Sequence, residues 1–85
     1  AFGLAPGVEG FAQLVLGRSL MEQGRLDEAA QAFDQAEHSF DQLSSVSHRA
    51  AAWIAKGDLA VRRGQDQMAA QLYRRAAEAL QDFRF

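Results

Sequence analysis

Apolar side chains recur at three- and four-residue intervals from Val8 onward, amid strong helix formers and few β-branched residues. That spacing lines one face of an α-helix. The pattern breaks at Gly24, at Ser44–Ser47 and at Gly64, which leaves four helical segments at about 8–23, 27–43, 47–63 and 67–83. Pro6 is the only proline and lies ahead of the periodic pattern. Gly24 and Gly64 each follow a helical stretch, where a left-handed residue ends a helix. Asp27, Ser47 and Asp66 stand where the next helix should start, as side chains able to accept orphan amide protons. Such short connections make neighbouring helices antiparallel.

Displacing the sequence by forty positions lays it over itself. Gly17 falls on Gly57, Gly24 on Gly64, Ala29-Ala30-Gln31 on Ala69-Ala70-Gln71, Phe33 on Tyr73 and Ala36 on Ala76. Met21 falls on Val61, Phe40 on Leu80 and Leu43 on Phe83. Each unit therefore reads as a helical hairpin. Gly17 and Gly57 let the first helix approach the second, Ala29 and Ala69 are the small partners at that crossing, and Phe33 and Tyr73 fill the space one turn further on. Ala36 and Ala76 leave room for the following helix. Interdigitating helices need small and large residues at fixed places.

These residues resemble the tetratricopeptide repeat. Leu16-Gly17, Leu20, Ala29, Phe33 and Ala36 match its pattern in the first unit, and Trp53, Gly57, Ala69, Tyr73 and Ala76 match in the second. Gln13 stands where the family's leading aromatic belongs, Lys56 replaces its leucine, and Ala60 replaces a large residue. The resemblance covers about residues 10–83 and implies an all-α, right-handed solenoid fragment of two antiparallel helix-turn-helix hairpins, repeat 1 at about 10–43 and repeat 2 at about 50–83. The family's usual period is about 34 residues. Here it is forty, and the extra residues around Ser44–Arg49 are expected to lengthen the second and third helices by nearly a turn each. Longer repeats of this kind resemble those in the sensing or effector parts of bacterial transcription regulators.

In stacked hairpins the first helices line a concave wall. If the glycines face the partner helix, the opposite stripe carries Phe11, Leu14, Arg18 and Met21 in the first unit, and Ala51, Ile54, Asp58 and Val61 in the second. Both run i, i+3, i+7, i+10, a single helical face. Each is mainly apolar with one central charge, positive in the first and negative in the second. These eight residues are the candidate protein-binding site. The same stripes also suit a core covered by a preceding helix or by a second chain. The family's basic and asparagine clamp for a terminal carboxylate does not match here, which disfavours a receptor for chaperone tails.

Composition narrows the picture. The 85 residues suffice for one small domain, which buries only about 60–65% of the surface its unfolded chain exposes. There is no cysteine, so disulfides and thiolate metal sites are excluded and a reducing, cytoplasmic setting fits. No apolar run is long enough to span a membrane. The first residue is not methionine and no signal peptide is legible, so the chain reads as a piece of a longer or processed protein. The net charge of −2 gives no general attraction to nucleic acid. Residues 26–42 carry acidic groups without Lys or Arg, whereas 49–75 are mainly basic, which reads as a matched intramolecular pair of helices. Arginine outnumbers lysine eight to one and alanine is abundant, as in GC-rich bacterial coding.

No catalytic constellation, cofactor motif or metal site emerges. His38 and His48 are ten residues apart, and His38 sits among Asp34 and Asp41 as a helical ion-pair partner. Asp34, Glu37 and Asp41 read as an exposed helix face without a cause for shifted acidity. The pairs Arg62-Arg63 and Arg74-Arg75 read as solvated. The expected function is protein or peptide binding in a non-enzymatic module. A structural or oligomerisation spacer and an accessory part of an enzyme stay open. Apolar residues at the two ends (Phe2, Leu4 and Phe11; Leu80, Phe83 and Phe85) lead to an expected homodimer, by end-to-end stacking or by exchange of a helical hairpin.

Overall fold

The computed structural model describes residues 5–81. Four helices follow in order: α1 (Pro6–Glu22), α2 (Leu26–Asp41), α3 (Val46–Arg62) and α4 (Asp66–Gln81). No strand occurs among the described residues. The architecture is all-α, built of two antiparallel hairpins.

The helix ends follow backbone chemistry more than side-chain capping. Pro6 occupies the first turn of α1 rather than preceding the helix. Proline suits that turn because its missing N–H would be unpaired there anyway. Gly24 and Gly64 have φ of 79° and 74°. At each, the glycine amide and the one after it fold back on the helix. Gly24 N donates to Met21 O and Arg25 N to Leu20 O, while Gly64 N donates to Val61 O and Gln65 N to Ala60 O. This doubled closure needs a left-handed residue at its centre. The capping expectations require correction. Asp27 lies inside the first turn of α2, whose N-cap is Arg25, and Asp66 is the first residue of α4. Both carboxylates therefore act on the positive helix end as charges. For α3 the cap is Ser45, not Ser47; its hydroxyl accepts from His48 N and pairs with His48 Nδ1 at 2.7 Å.

Helix α1 packs on α2, α2 on α3, and α3 on α4; α1 also touches α3. No Cα of α2 comes within 8 Å of one in α4. The stack is thus closed on the α1/α3 side and splayed on the α2/α4 side, which makes the α1/α3 side concave.

Within each hairpin the aromatic ring lies directly on the glycine, not one turn beyond it. A Cβ at Gly17 would lie 2.5 Å from Phe33 Cδ1, and a Cβ at Gly57 would lie 2.5 Å from Tyr73 Cε1. Phe33 is fully buried, as are Ala29 and Ala36. A third such layer is present: a Cβ at Gly10 would meet Phe40 Cδ1 at 2.6 Å. Gly10 and Gly17 are seven apart on α1, and Phe33 and Phe40 are seven apart on α2, so the two rings seat two turns apart along one seam.

That additional layer accounts for the long period. All four helices are 16 or 17 residues long, and only Gln42–Ser45 connects α2 to α3. The added turn is filled by Phe40, which also meets the His48 ring at 5.0 Å between centroids. Of the apolar end residues, Phe2, Leu4, Phe83 and Phe85 lie outside the described residues. Phe11 and Leu80 are exposed.

Candidate functional site

The register of the hairpins sets which residues of α1 and α3 share the concave face. Stacked equivalent units place equivalent positions side by side, so residues forty apart become neighbours. Arg18 Nη1 meets Asp58 Oδ2 at 3.1 Å, and Arg62 pairs with Glu22 one turn further along. Arg62 also donates to Met21 O. Opposite signs at equivalent positions thus stitch α1 to α3. The exposed Arg18–Asp58 pair adds less than about 1 kcal/mol to stability, but it divides the groove into two depressions.

The first depression is lined by Gly7, Phe11, Leu14, Phe40, Ser47, His48 and Ala51, the second by Arg18, Met21, Glu22, Asp58, Val61, Arg62 and Tyr73. Their volumes are about 340 and 330 Å³. Seven of the eight residues singled out in the sequence therefore line one or the other; Ile54 is half-buried and lines neither. Leu14 and Met21 are buried members of the core, so they form floor rather than exposed wall. Phe11 and Val61 remain 62% and 50% exposed, the accessible apolar surface at the two ends.

Tyr73 had no place in the sequence-derived site, yet it reaches this face from α4. Its hydroxyl donates to Asp58 Oδ1. That hydrogen bond raises the phenol above its usual range, burial and the negative charge of Asp58 act in the same direction, and Arg18 opposes them. Asp58 is thus held between Arg18 and Tyr73. The opposite charges of Arg18 and Asp58 were legible at the centres of the two stripes, whereas the Glu22–Arg62 pair was not singled out although those residues too lie forty apart. The approach of Tyr73 was not legible, because it depends on how α4 crosses α3.

On the other side of the molecule, the charged residues correct two expectations. Glu37 is not on a free acidic face. It accepts from Trp53 Nε1 at 2.9 Å and from Lys56 Nζ, which also pairs with Asp34 at 2.7 Å. Burial pushes the Glu37 carboxyl up, but the hydrogen bonds from Lys56 and Trp53 and the charges of Lys56 and Arg75 outweigh it, and the net shift is downward. Burial likewise pushes Lys56 down, and Asp34 and Glu37 more than reverse it. Arg62 and Arg63 are not simply solvated either. Arg63 pairs with Asp27 at 2.8 Å, so the basic α3 neutralises acidic groups on both α1 and α2. Among the described residues no three His, Cys, Asp or Glu side chains converge as a metal site. No helix is long and apolar enough to cross a membrane.

Comparison with protein families finds one family model, described as tetratricopeptide repeat, that matches residues 12–82. The chain belongs to the tetratricopeptide repeat family. No curated protein and no solved structure matches it. Tetratricopeptide repeats mediate protein–protein interaction without chemistry of their own. In this tetratricopeptide repeat pair, Lys56 occupies the family's leucine position and serves as the ionic anchor between α2 and α3. The substitution that weakens the sequence match thus has a structural use.

Proposed function

We propose that this repeat pair binds a peptide segment of a partner protein in the α1/α3 groove. The observation that carries the reading is the apolar depression over Leu14 and Ala51, followed along the groove by a second in which Met21 and Val61 lie among the paired charges, with Phe11 and Val61 exposed at either end. The groove's own charges cancel in pairs, so apolar side chains rather than net charge select the ligand. Leu14 and Met21 are seven residues apart, about 10 Å along α1. A ligand should present two large apolar groups at that spacing, roughly i and i+3 in an extended chain. Selection from a displayed random-peptide library should enrich that pattern. Enriched peptides should lose binding to F11S and V61K, both changes of exposed side chains. Unaltered binding to both variants would remove the groove from the function.

The outer face of α1 favours a second association. Val15 is 57% exposed, whereas Ala55, its equivalent in the second unit, is fully buried. Leu16 and Val8 are exposed beside it. We infer that the isolated chain forms a two-fold homodimer through this face, which buries the same patch on both copies. Light scattering coupled to size-exclusion chromatography should give twice the 9.3 kDa chain mass; a folded monomer at tens of micromolar contradicts it. The setting we propose is the sensing part of a cytoplasmic bacterial regulator. It is supported by the cysteine-free, arginine-rich composition and the long period. A DNA-binding helix-turn-helix in the flanking sequence agrees with this setting, and a catalytic domain there overturns it.

A further inference from the structure

On the side away from the groove, the splay of α2 from α4 leaves an open cleft of about 370 Å³ with α3 as its floor. Its apolar surface comes from Ala30, Leu59, Ala60, Met68 and Leu72. Met68 is 49% exposed, a large flexible apolar side chain with no cover. Lys56, Arg63 and Arg75 stand on the rim with one acid, Asp34.

The three cations differ in what they already hold. Lys56 is neutralised by Asp34 and Glu37. Arg63 has one partner, Asp27, whose side chain is 93% exposed and is therefore screened by water. Arg75 lies 5.3 Å over the Trp53 ring. Among the described residues no carboxylate comes within 4.0 Å of it. Because α3 and α4 are antiparallel, Arg63 and Arg75 sit at opposite ends of the cleft. Tyr73 packs on Gly57, so Arg75, two residues on along the antiparallel α4, is level with Ala55, eight residues and about 12 Å along α3 from Arg63.

We propose that this cleft takes an amphipathic helix of a partner protein, with an apolar stripe on Met68 and Leu72 and carboxylates at about i and i+7 reaching Arg63 and Arg75. The rim selects acidic residues because two guanidinium groups have unspent or weakly spent hydrogen-bonding capacity. The space selects a helix because the walls are themselves parallel-running helices with no Cα–Cα approach below 8 Å, and a helix fills such a trough. This site does not depend on the concave groove, so one molecule can hold two partner segments on opposite sides.

The test uses the intact chain and a fluorescein-labelled synthetic helix with Glu at i and i+7 around Leu at i+3 and i+4. Anisotropy should show saturable binding. Trp53, the single tryptophan, should change its emission as Arg75 shifts toward the ligand. The R63E/R75E variant should bind at least about tenfold more weakly, a loss of 1.4 kcal/mol, and should instead bind the same helix with Lys for Glu. M68D, a change of an exposed residue, should weaken binding comparably with helix content intact by circular dichroism. F11S and V61K should leave this binding unchanged. Absence of saturable binding, equal binding by R63E/R75E and M68D, or equal binding of a Gln-for-Glu helix would each overturn the proposal.

Discussion

Gly17→Ala adds one methyl group where there is no space for it. Its Cβ would stand 2.5 Å from Phe33 Cδ1, whereas carbon atoms in contact prefer about 3.5–4.0 Å. The ring or the helix must therefore retreat by about 1 Å. Phe33 is 0% exposed, so the ring has no solvent to move into. Overpacking of this kind costs about 1–3 kcal/mol. Alanine returns about 0.8–1.0 kcal/mol of helix propensity, which leaves a net loss of up to about 2 kcal/mol. For a domain of this size the melting temperature should fall by up to about 15 °C. Gly17→Val, which also adds β-branching, should cost a few kcal/mol (about 3). Gly57→Ala meets the Tyr73 ring at the same distance, but Tyr73 is only half-buried and can pivot outward. It should cost under about 1 kcal/mol, mainly through the hydrogen bond to Asp58. Thermal melts at a single protein concentration, so that association does not confound them, provide the assay. Shrinking the ring in Gly17→Ala/Phe33→Leu should recover at least about 1 kcal/mol as coupling between the two sites. A Gly17→Ala melt at or above that of the parent would refute the close-approach reasoning.

Ser44 has φ 53°, which strains an L-residue, so Ser44→Gly should raise stability by about 0.5–1 kcal/mol in urea unfolding; Gly24→Ala, at φ 79°, should lower it by about 1–2 kcal/mol. Glu37→Ala leaves Trp53 Nε1 without its acceptor and Lys56 with Asp34 alone and should cost about 2 kcal/mol, seen in the same titration. The folded Glu37 carboxyl titrates below its ordinary 4.5, so its contribution is present above that pH and is lost as pH falls through the folded value. Glu37→Gln should therefore flatten the acid limb of a stability profile. Lys56 is raised above 10.5, so its contribution is complete below that pH and disappears only as pH rises through the folded value.

The helices and their breaks were legible because they rest on local rules: three-to-four spacing of apolar residues and a left-handed glycine at two of the turns. The hairpin repeat was legible because steric fit places Gly17 with Phe33 and Gly57 with Tyr73, and those residue types mark the sequence twice. The capping residues were misplaced because the backbone sets where each helix begins: α2 starts from Arg25 with no side-chain cap, and at α3 Ser45 rather than Ser47 meets the first amides. Which apolar residues of the stripe became floor and which became wall was decided only in the tertiary structure. Leu14 and Met21 share a helical face with Phe11, yet the first two join the core built with α2 and α3 and the third stays in solvent. The same holds for Glu37 and Lys56. Periodicity marks them as polar, but only the packing of α2 against α3 brings the carboxylate, the ammonium and the Trp53 N–H together in a partly desolvated place, where each needs the others.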